Sequence, residues 1–333
     1  MLPTLLPRRL ASPSQLPRQL RQFSTTRPAS HLRIGFVPEH FSTPLIFAKH
    51  NFSLDCTLLP FPSGTGHMVT SLQSGELDLA IGLTEGWVSG ICTAQSTHRS
   101  PNFHLIGTYV QSPLRWAIST GASRSITSSD LQGKKVGVSR IGSGSYVMSY
   151  VLAHQNGWLD PNSSHPPFPV EVLQTFSRLR EAVNEETADF FLWEYFTSKR
   201  YYDSGEIKHI GDIYSPWPSW MIVAADAMLW PHGRHHGARV LTEEVEGALE
   251  KINRGIQYFR ENGEEAVRYI STKLDYTEED ARAWLPTVEF AEDVRGVRRE
   301  DVVEAMRILG QAGVLEEKRY TEDVGNVVAL FKE

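Results

Sequence analysis

Two loops rich in glycine and serine hold the groups best suited to bind a ligand in this sequence. They span residues 63–66 (Ser-Gly-Thr-Gly) and residues 143–145 (Ser-Gly-Ser), and Arg140 lies just before the second loop. Each loop precedes a predicted helix, and the start of a helix offers unpaired N–H groups to an anion. Glycine also lets the backbone approach a ligand closely. The loops favour a site for a polar or anionic group, although each could instead be an ordinary helix cap.

Two glutamates and three tryptophans could complete such a site. Glu85 and Glu194 each follow an apolar predicted strand. Their carboxylates could hold an amine, accept hydrogen bonds or act as an acid and a base. The alternative is that both are solvated residues at helix starts, where the helix dipole favours a carboxylate. Trp193, Trp217 and Trp220 could stack on a flat ligand, although packing in the core is the commoner role of tryptophan.

The motifs of several enzyme classes are absent from the sequence. It contains no nucleophile elbow, no phosphate-binding P-loop, no pair of closely spaced cysteines and no HExxH motif. His232, His235 and His236 form a cluster, but no carboxylate or thiol lies at ligand spacing, which favours a solvent-exposed loop over a metal site. We therefore expect no catalytic residue, no metal and no cofactor, and we interpret the polar loops as parts of a binding cleft.

Alternating strands and helices are predicted to position these groups. A first series of strands is predicted at 32–37, 53–60, 77–82 and 103–110, and a second at 114–119, 135–138, 170–174, 189–193 and 207–213. Residues 63–85 and 175–194 share the order loop, helix, aspartate, strand and acid, which is a weak repeat of architecture. Because ligands bind at the carboxyl ends of strands in open α/β sheets, two similar lobes should face one cleft.

The lobe boundaries are predicted from two breaks in the chain. Residues 111–113 join two β-rich runs without a helix, and the rigid segment 215–218 precedes a further strand at 219–224. A chain of 333 residues is long enough for two lobes. The predicted first lobe comprises residues 31–111 and 219–333, and the second comprises residues 112–218.

The end of the chain is predicted to be helical. From residue 241 onward one helix face is apolar, formed by Val245, Leu249, Ile252, Ile256 and Phe259. Residues 277–280 have the spacing of a capping box at the start of another helix. Two more helices are predicted at 299–310 and 320–331.

The first thirty residues have the composition of a mitochondrial transit peptide. They contain five arginines, and no acidic residue precedes Glu39. Arg21 lies three residues before Ser24, which is the arginine spacing of a matrix processing site. A basic tail without a targeting role is the alternative. The sequence thus predicts a transit peptide at residues 1–30 and a location in the mitochondrial matrix.

Composition excludes several other classes of function. The formal net charge of −6 provides no basic field for nucleic acid. No run of 18 apolar residues exists, so no transmembrane helix is predicted. Cys56 and Cys92 lack metal or redox spacing, and two cysteines argue against a disulfide framework. We expect a small-molecule ligand, no nucleic acid and no membrane insertion, and no feature identifies a protein partner.

The order of several short motifs resembles the type II periplasmic-binding-protein fold, in the branch of nitrate, sulfonate and taurine binders. These motifs are IGFVP at 34–38, SGTG at 63–66, GELD at 75–78 and LQGKKVG at 131–137. Five further segments resemble a fungal intracellular subgroup of this superfamily: EHFSTP at 39–44, GLTEG at 82–86, SRIGSGSYVMSYVLA at 139–153, FLWEYF at 191–196 and SPWPSW at 215–220.

This resemblance implies a two-lobe α/β fold with C-terminal helices and an interlobe cleft that closes on a small ligand by hinge motion. It also implies that ligand contacts come from the loops after the strands. Matched to this sequence, the implied contacts are Glu39, His40, Phe41, Gly64, Thr65, Thr84, Glu85, Arg140, Gly142, Ser143, Gly144, Ser145, Trp193 and Glu194. Trp217 is added as an aromatic cover for the apolar face of the ligand.

The resemblance leaves two functions open, and a regulatory module that acts through a partner is a third possibility for which the sequence has no feature. The first is a binding protein for a small polar, anionic or zwitterionic metabolite. Arg140 and residues 143–145 would then take the negative group, Glu85 or Glu194 a donor, and Trp193 or Trp217 the apolar face. The second is an enzyme of thiamine-pyrimidine or related heterocycle metabolism, because fungal thiamine-pyrimidine synthases, which use pyridoxal phosphate and iron, belong to a cousin branch. That branch has a lysine and a histidine after its third strand and a cysteine-rich loop, and this sequence has neither feature.

Overall fold

The computed structural model describes residues 31–160, 165–229, 241–311, 313–315 and 324–332. The predicted transit peptide and the cluster of His232, His235 and His236 lie outside these residues. No helix in the described ranges is long and apolar enough to cross a membrane.

Ten strands occur in the described residues, and most are runs of Val, Ile, Leu and Phe bounded by polar residues, glycine or proline. Such near-continuous apolar runs are typical of strands covered on both faces. The strands are β1 (Leu32–Phe36), β2 (Cys56–Pro60), β3 (Leu79–Leu83), β4 (Phe103–Val110), β5 (Arg115–Gly121), β6 (Val136–Val138), β7 (Val170–Val172), β8 (Phe190–Glu194), β9 (Ile207–Tyr214) and β10 (Trp220–Ala225).

The strands form two five-stranded sheets with the same internal arrangement. The first sheet has the order β2-β1-β3-β10-β4 and the second the order β7-β6-β8-β5-β9. In each sheet the first three strands are parallel, and the fourth runs antiparallel to both of its neighbours. The prediction of an α/β fold built from two similar halves is therefore confirmed.

Helices connect the parallel strands and cover the sheets. Those described are α1 (Thr43–Phe52), α2 (Thr65–Gln73), α3 (Thr84–Ser96), α4 (Gly144–Gln155), α5 (Phe176–Asn184), α6 (Tyr195–Asp203), α7 (Asp226–Leu229), α8 (Glu243–Glu261), α9 (Gly263–Lys273), α10 (Glu278–Trp284) and α11 (Arg299–Gln311). The apolar face predicted after residue 241 belongs to α8, and all five of its residues are buried.

Two chain segments run between the sheets, and they are hydrogen bonded to each other. One joins β4 to β5, and the other joins β9 to β10. The hydroxyl of Ser219 donates to the carbonyl of Ser112 (2.7 Å), and the N–H of Leu114 donates to the hydroxyl of Ser215 (2.9 Å). These bonds tie the two connections into one narrow strap between the sheets.

Two local predictions were wrong. The resemblance implies that Thr84 and Glu85 lie in a loop after a strand, but residues 84–86 form the first turn of α3. The N–H of Thr84 donates to the carbonyl of Ser219, and its hydroxyl donates to the carbonyl of Pro218. The predicted helix at 320–331 is not helical where described, apart from a short 3-10 turn at Val324–Asn326. Leu105 of the edge strand β4 instead pairs with this tail, since an edge strand has unpaired N–H and C=O groups to offer.

Candidate functional site

A cavity of about 90 Å³ lies between the two sheets, at the carboxyl ends of their parallel strands. From the first sheet it is lined by residues that follow β1, β2 and β3, and from the second by residues that follow β6 and β8. This is the edge at which ligands bind in open α/β sheets. The volume lies well below the roughly 300 Å³ at which pockets for drug-sized ligands begin, so the cavity suits a small molecule.

Most of the residues predicted to contact a ligand come together at this cavity. Ten of the fifteen line it: Glu39, Gly64, Thr65, Arg140, Gly142, Ser143, Gly144, Ser145, Trp193 and Glu194. Five do not line it: His40, Phe41, Thr84, Glu85 and Trp217.

The starts of two helices face the cavity from opposite sides. Before α2, Gly64 adopts a φ of 76°, a left-handed conformation that favours glycine, and no side chain caps the helix. Before α4, the hydroxyl of Ser143 accepts the N–H of Tyr146 (3.3 Å) and also shares a hydrogen bond with the hydroxyl of Ser145 (3.0 Å). Both helix starts direct the positive end of a helix dipole toward the same small space.

Arg140 reaches across the cleft from the second sheet to the first. Its Nη1 atom donates to the carbonyl oxygen of Ser63 at 3.3 Å. Its guanidinium also covers Gly66, where an added Cβ would overlap the Nη2 atom. Burial lowers the pKa of Arg140 from its ordinary value. The guanidinium therefore lies beside the start of α2, where it adds positive charge to the helix end.

Glu39 and Glu194 bring carboxyl groups to the cavity from the two sheets. Burial, followed by the negative charge of Glu194, raises the pKa of Glu39 to about 8. Burial also raises the pKa of Glu194 to about 7, although the N–H of Thr197 donates to its Oε2 atom at 2.6 Å. Desolvation thus dominates at both groups, and it favours the neutral form of each carboxyl.

Three tryptophans form aromatic walls of the cavity. Trp193 stacks on Phe176, with ring centroids 4.8 Å apart, and Trp220 stacks on Phe41 at 5.1 Å. The Nε1 atoms of Trp116 and Trp220 are buried without a hydrogen-bond partner among the described residues. An indole N–H donor in a wall of this kind is available to an acceptor on a ligand.

His40 and Phe41 lie behind the cavity rather than on its wall. The ring of His40 packs against Phe41, Tyr276 and Trp284 at centroid distances of 4.3–4.6 Å. Burial lowers the pKa of His40 well below its ordinary value, so its ring is neutral. The Nε2 atom lies 3.8 Å from the Oε1 atom of Glu194, beyond hydrogen-bonding distance. The rings of His40 and Phe41 therefore pack behind the cavity wall and do not line the cavity.

Thr84, Glu85 and Trp217 form a buried layer next to the connections between the sheets. The indole N–H of Trp217 donates to the Oε2 atom of Glu85 at 3.1 Å. Burial raises the pKa of Glu85 to about 7. A Cβ added to Gly144 would lie 3.1 Å from the Oε1 atom of Glu85, so this carboxyl lies directly behind a glycine that lines the cavity.

Trp116 is the cavity residue of greatest chemical interest that the sequence analysis missed. It follows the first connection between the sheets, and it lies near the start of β5 with 4% of its surface exposed. A strand position in an apolar run indicated only core packing. The one available signal was the position of Trp116 just after the first connection between the sheets. The other wall residues that were not predicted are Val37, Pro62, Leu83, Gly86, Leu114 and Ser139, whereas Ser63 belongs to the predicted loop at 63–66.

The cavity offers several groups that can bind a ligand. Within the described ranges, no group of three or more His, Cys, Asp or Glu side chains is placed to hold a metal ion. Arg140 and two helix starts can take negative charge, two carboxyls can take hydrogen-bond donors, and the tryptophans can cover apolar surface. The arrangement is complementary to a small molecule that carries both acceptors and donors.

Comparison with known proteins places this geometry in a wider group. A sequence model of the Ca3427-like PBP family matches residues 116–213. The Candida albicans CA3427 gene product, described as defining a new family with the generic periplasmic binding protein fold, is 38% identical, with 91% of this chain and 98% of that chain covered and a TM-score of 0.79. No curated protein sequence matches the chain.

More distant structures share the fold. The alkanesulfonate-binding protein SsuA from Xanthomonas axonopodis pv. citri, bound to MOPS, is 13% identical, with 90% of this chain and 96% of that chain covered and a TM-score of 0.66. The nitrate-binding protein NrtA from Synechocystis PCC 6803 is 14% identical, with 87% and 83% covered and a TM-score of 0.63.

Proposed function

Because the chain belongs to the family that the Candida albicans CA3427 gene product defines, whose members have the periplasmic-binding-protein fold, we propose that it binds a small anionic or zwitterionic metabolite between its two sheets. The observation that carries the proposal is the convergence of Arg140 and the starts of α2 and α4 on one cavity of about 90 Å³. Each of these groups is positive, and they come from different sheets. Binding an anion there would hold the two halves together.

The charge on the opposite wall supports a zwitterion in particular. The cavity that contains Arg140 also contains Glu39 and Glu194, so a guest with a single negative group would leave these carboxyls unpaired. Two of the structural neighbours are named for anions, alkanesulfonate and nitrate, although their likeness to this chain extends only to the fold. The expected ligand is therefore a compact molecule whose anionic group faces Arg140 and whose other end donates hydrogen bonds.

Two further proposals concern motion and location. The hydrogen-bonded connections at Ser112 and Ser219 are narrow enough to act as the hinge on which the halves close. The matrix destination of residues 1–30 remains a prediction from their composition. Neither the hinge motion nor the matrix location depends on which ligand is bound.

The proposal is tested by removing the positive group that reaches across the cleft. Native mass spectrometry of freshly purified protein should reveal a retained small molecule. Binding itself is measured with a defined probe, taurine (2-aminoethanesulfonate). Arg140→Ala should weaken taurine binding about tenfold or more in calorimetry, because a charge-assisted hydrogen bond is lost. The melting temperature of the empty protein should change little, since Arg140 is partly exposed.

Arg178→Ala is the matched control, because this arginine is exposed on α5 and pairs with Glu181 away from the cavity. It should leave both taurine affinity and melting temperature unchanged. Equal taurine affinity in wild type and Arg140→Ala would reject the anion assignment. Absence of a retained molecule, together with no thermal stabilisation by taurine, ethanesulfonate or nitrate, would reject the proposed function.

A further inference from the structure

Two carboxyl groups from opposite sheets meet at the cavity. Glu39 follows β1, and Glu194 ends β8 and begins α6. Glu194 uses its Oε2 atom to accept the N–H of Thr197, and its side chain is almost entirely buried. The two sheets therefore place both acids at one small cavity, with Glu194 buried and Glu39 half-buried. Like charges in such a space cannot both be ionised without cost.

The groups that face these carboxyls supply little positive charge. His40 is neutral, because burial lowers its pKa well below the ordinary value. Tyr276 lies near both carboxyls, and burial followed by the charges of Glu39 and Glu194 raises its pKa, so its hydroxyl stays protonated. Tyr276 also shares a hydrogen bond of 3.1 Å with the hydroxyl of Thr197.

Arg115 and Tyr202 complete this environment on the side of the second sheet. Burial raises the pKa of Glu194, and the positive charge of Arg115 opposes that rise only in part, because this arginine is already paired with Asp212 at 2.8 Å and lies over the ring of Tyr195. Burial raises the pKa of Tyr202 to about 12, so its hydroxyl is neutral as well. Arg140 is the basic residue of the described cavity lining, and its guanidinium bonds to the carbonyl of Ser63 at the start of α2. The described groups around Glu39 and Glu194 thus leave both carboxyls without a cationic partner of their own.

Unpartnered donors in the same walls indicate that a guest molecule completes the site. Trp116 and Trp220 are 4% and 3% exposed, both line the cavity, and the indole N–H of each has no hydrogen-bond partner among the described residues. Buried polar groups are normally paired, so these two donors, which lack an acceptor among the described residues, are available to an acceptor on a ligand. Their aromatic rings can also favour a neighbouring cation.

We infer that Glu39 and Glu194 together bind a protonated nitrogen of the ligand, such as an ammonium or amidinium group, between the two sheets. This inference rests on the proposed function and defines its ligand class: a molecule with a cationic nitrogen at one end and an anionic group at the other. A cation between the two carboxyls offsets their repulsion and their desolvation, so it favours the closed arrangement. Because the empty site retains protons, binding of such a cation releases them.

A matched pair of probes isolates the nitrogen. Taurine and isethionate (2-hydroxyethanesulfonate) have the same sulfonate and the same two-carbon chain, and they differ only in an ammonium or a hydroxyl group. Taurine should bind the intact protein about tenfold more tightly than isethionate near pH 7. Calorimetry in two buffers of different ionisation enthalpy should show a release of about one proton with taurine and less with isethionate.

Glu39→Gln tests whether this carboxyl provides the preference. The variant should bind taurine and isethionate with affinities within about threefold of each other, and it should release fewer protons with taurine. Glu250→Gln, at an exposed position on α8, is the control and should retain the tenfold preference. Unchanged preference in Glu39→Gln would overturn the inference, even if the variant binds both probes well.

The remaining outcomes separate the inference from the proposed function. Isethionate binding as tightly as taurine would reject the cationic subsite and leave anion binding at Arg140 intact. Ethanolamine, which has the ammonium without the sulfonate, should bind more weakly than taurine. If ethanolamine binds as tightly as taurine, the carboxyl subsite stands and the anion assignment fails. If none of the three binds, both are rejected.

Discussion

The three glutamates next to the cleft, of which Glu85 and Glu194 are buried and Glu39 is half-buried, differ in what surrounds them. The carboxyl of Glu85 accepts the indole N–H of Trp217 behind the cavity wall, and that of Glu194 caps α6. Glu39 has the highest pKa of the three, about 8, because the charge of Glu194 adds to its own desolvation. At the scale of single residues, this group should therefore show the clearest pH dependence.

Glu39→Gln should become more stable than wild type as the pH rises. The folded protein raises the pKa of Glu39 from 4.5 to about 8, so the stability that this group contributes is present at low pH and is lost between those values. Glutamine resembles the protonated acid and does not titrate. The free energy of unfolding from urea titrations should be similar for the two proteins near about pH 5 and higher for the variant by at least about 1 kcal/mol near pH 9.

Glu250→Gln controls for loss of one negative charge, since Glu250 is exposed on α8. Its difference from wild type should stay constant over the same pH range. A difference between Glu39→Gln and wild type that does not grow with pH would contradict the raised pKa.

At the scale of elements, the packing of α8 decides what a glycine-to-alanine substitution does at each of two positions. Gly247 and Gly255 both lie inside this helix. A Cβ added to Gly247 has no heavy atom within 4 Å, whereas one added to Gly255 would overlap the carbonyl oxygen of Pro44 and lie 2.8 Å from the Cβ of Ala48. Gly255 thus allows α8 to cross α1 closely.

Gly247→Ala and Gly255→Ala should change stability in opposite directions. Both gain the helix propensity of alanine, worth about 0.5–1 kcal/mol. Only Gly255→Ala forces α1 and α8 apart, which should cost about 1–3 kcal/mol and outweigh that gain. Urea unfolding of the two variants measures the difference, and stabilisation by Gly255→Ala would contradict the close crossing of the helices.

At the scale of the whole molecule, contacts across the cleft hold the two sheets together. Arg140 bonds to the loop before α2, and on α6 the Nζ atom of Lys199 lies 3.0 Å from the Oδ1 atom of Asp280 in the C-terminal helices. The hydroxyl of Thr197 is also within hydrogen-bonding distance of that of Tyr276. The two sheets are therefore joined across the cleft, and the contact of Arg140 with the Ser63 loop is called the latch below.

Gly66→Ala should reproduce the loss of this latch without altering Arg140 itself. The added Cβ displaces the flexible guanidinium, which removes its contact with Ser63 and with a bound anion. Taurine affinity should fall about as far as in Arg140→Ala, and the double variant should bind no more weakly than Arg140→Ala alone. Calorimetric titration of Gly66→Ala, Arg140→Ala and the double variant against the wild type gives the double-mutant cycle.

Gly247→Ala is the control for a glycine-to-alanine change in a helix, and it should leave taurine binding unchanged. Additive losses in the double variant would show that Gly66 affects binding independently of Arg140. That result would contradict a latch in which the guanidinium needs the bare backbone of Gly66.

Much of the architecture could be read from local pattern. The strand Phe103–Val110 has its predicted limits, because apolar β-rich residues end there at the polar pair Gln111-Ser112. The start of α4 was also predictable, since Ser143 is a good cap and glycine precedes it. The loops after the strands could be assigned to a cleft because chain direction in a sheet places their ends on one edge.

The sequence alone determined the alternation of strands and helices and the edge on which polar loops gather, because both depend on residues close together in the chain. Only the tertiary structure decided which polar groups face the cavity. Trp217 and Glu85 are 132 residues apart and satisfy each other behind the wall, whereas Glu39 and Glu194 meet in front of it. Such pairs depend on how two sheets approach, and that approach is set by the sum of many distant contacts rather than by any local spacing.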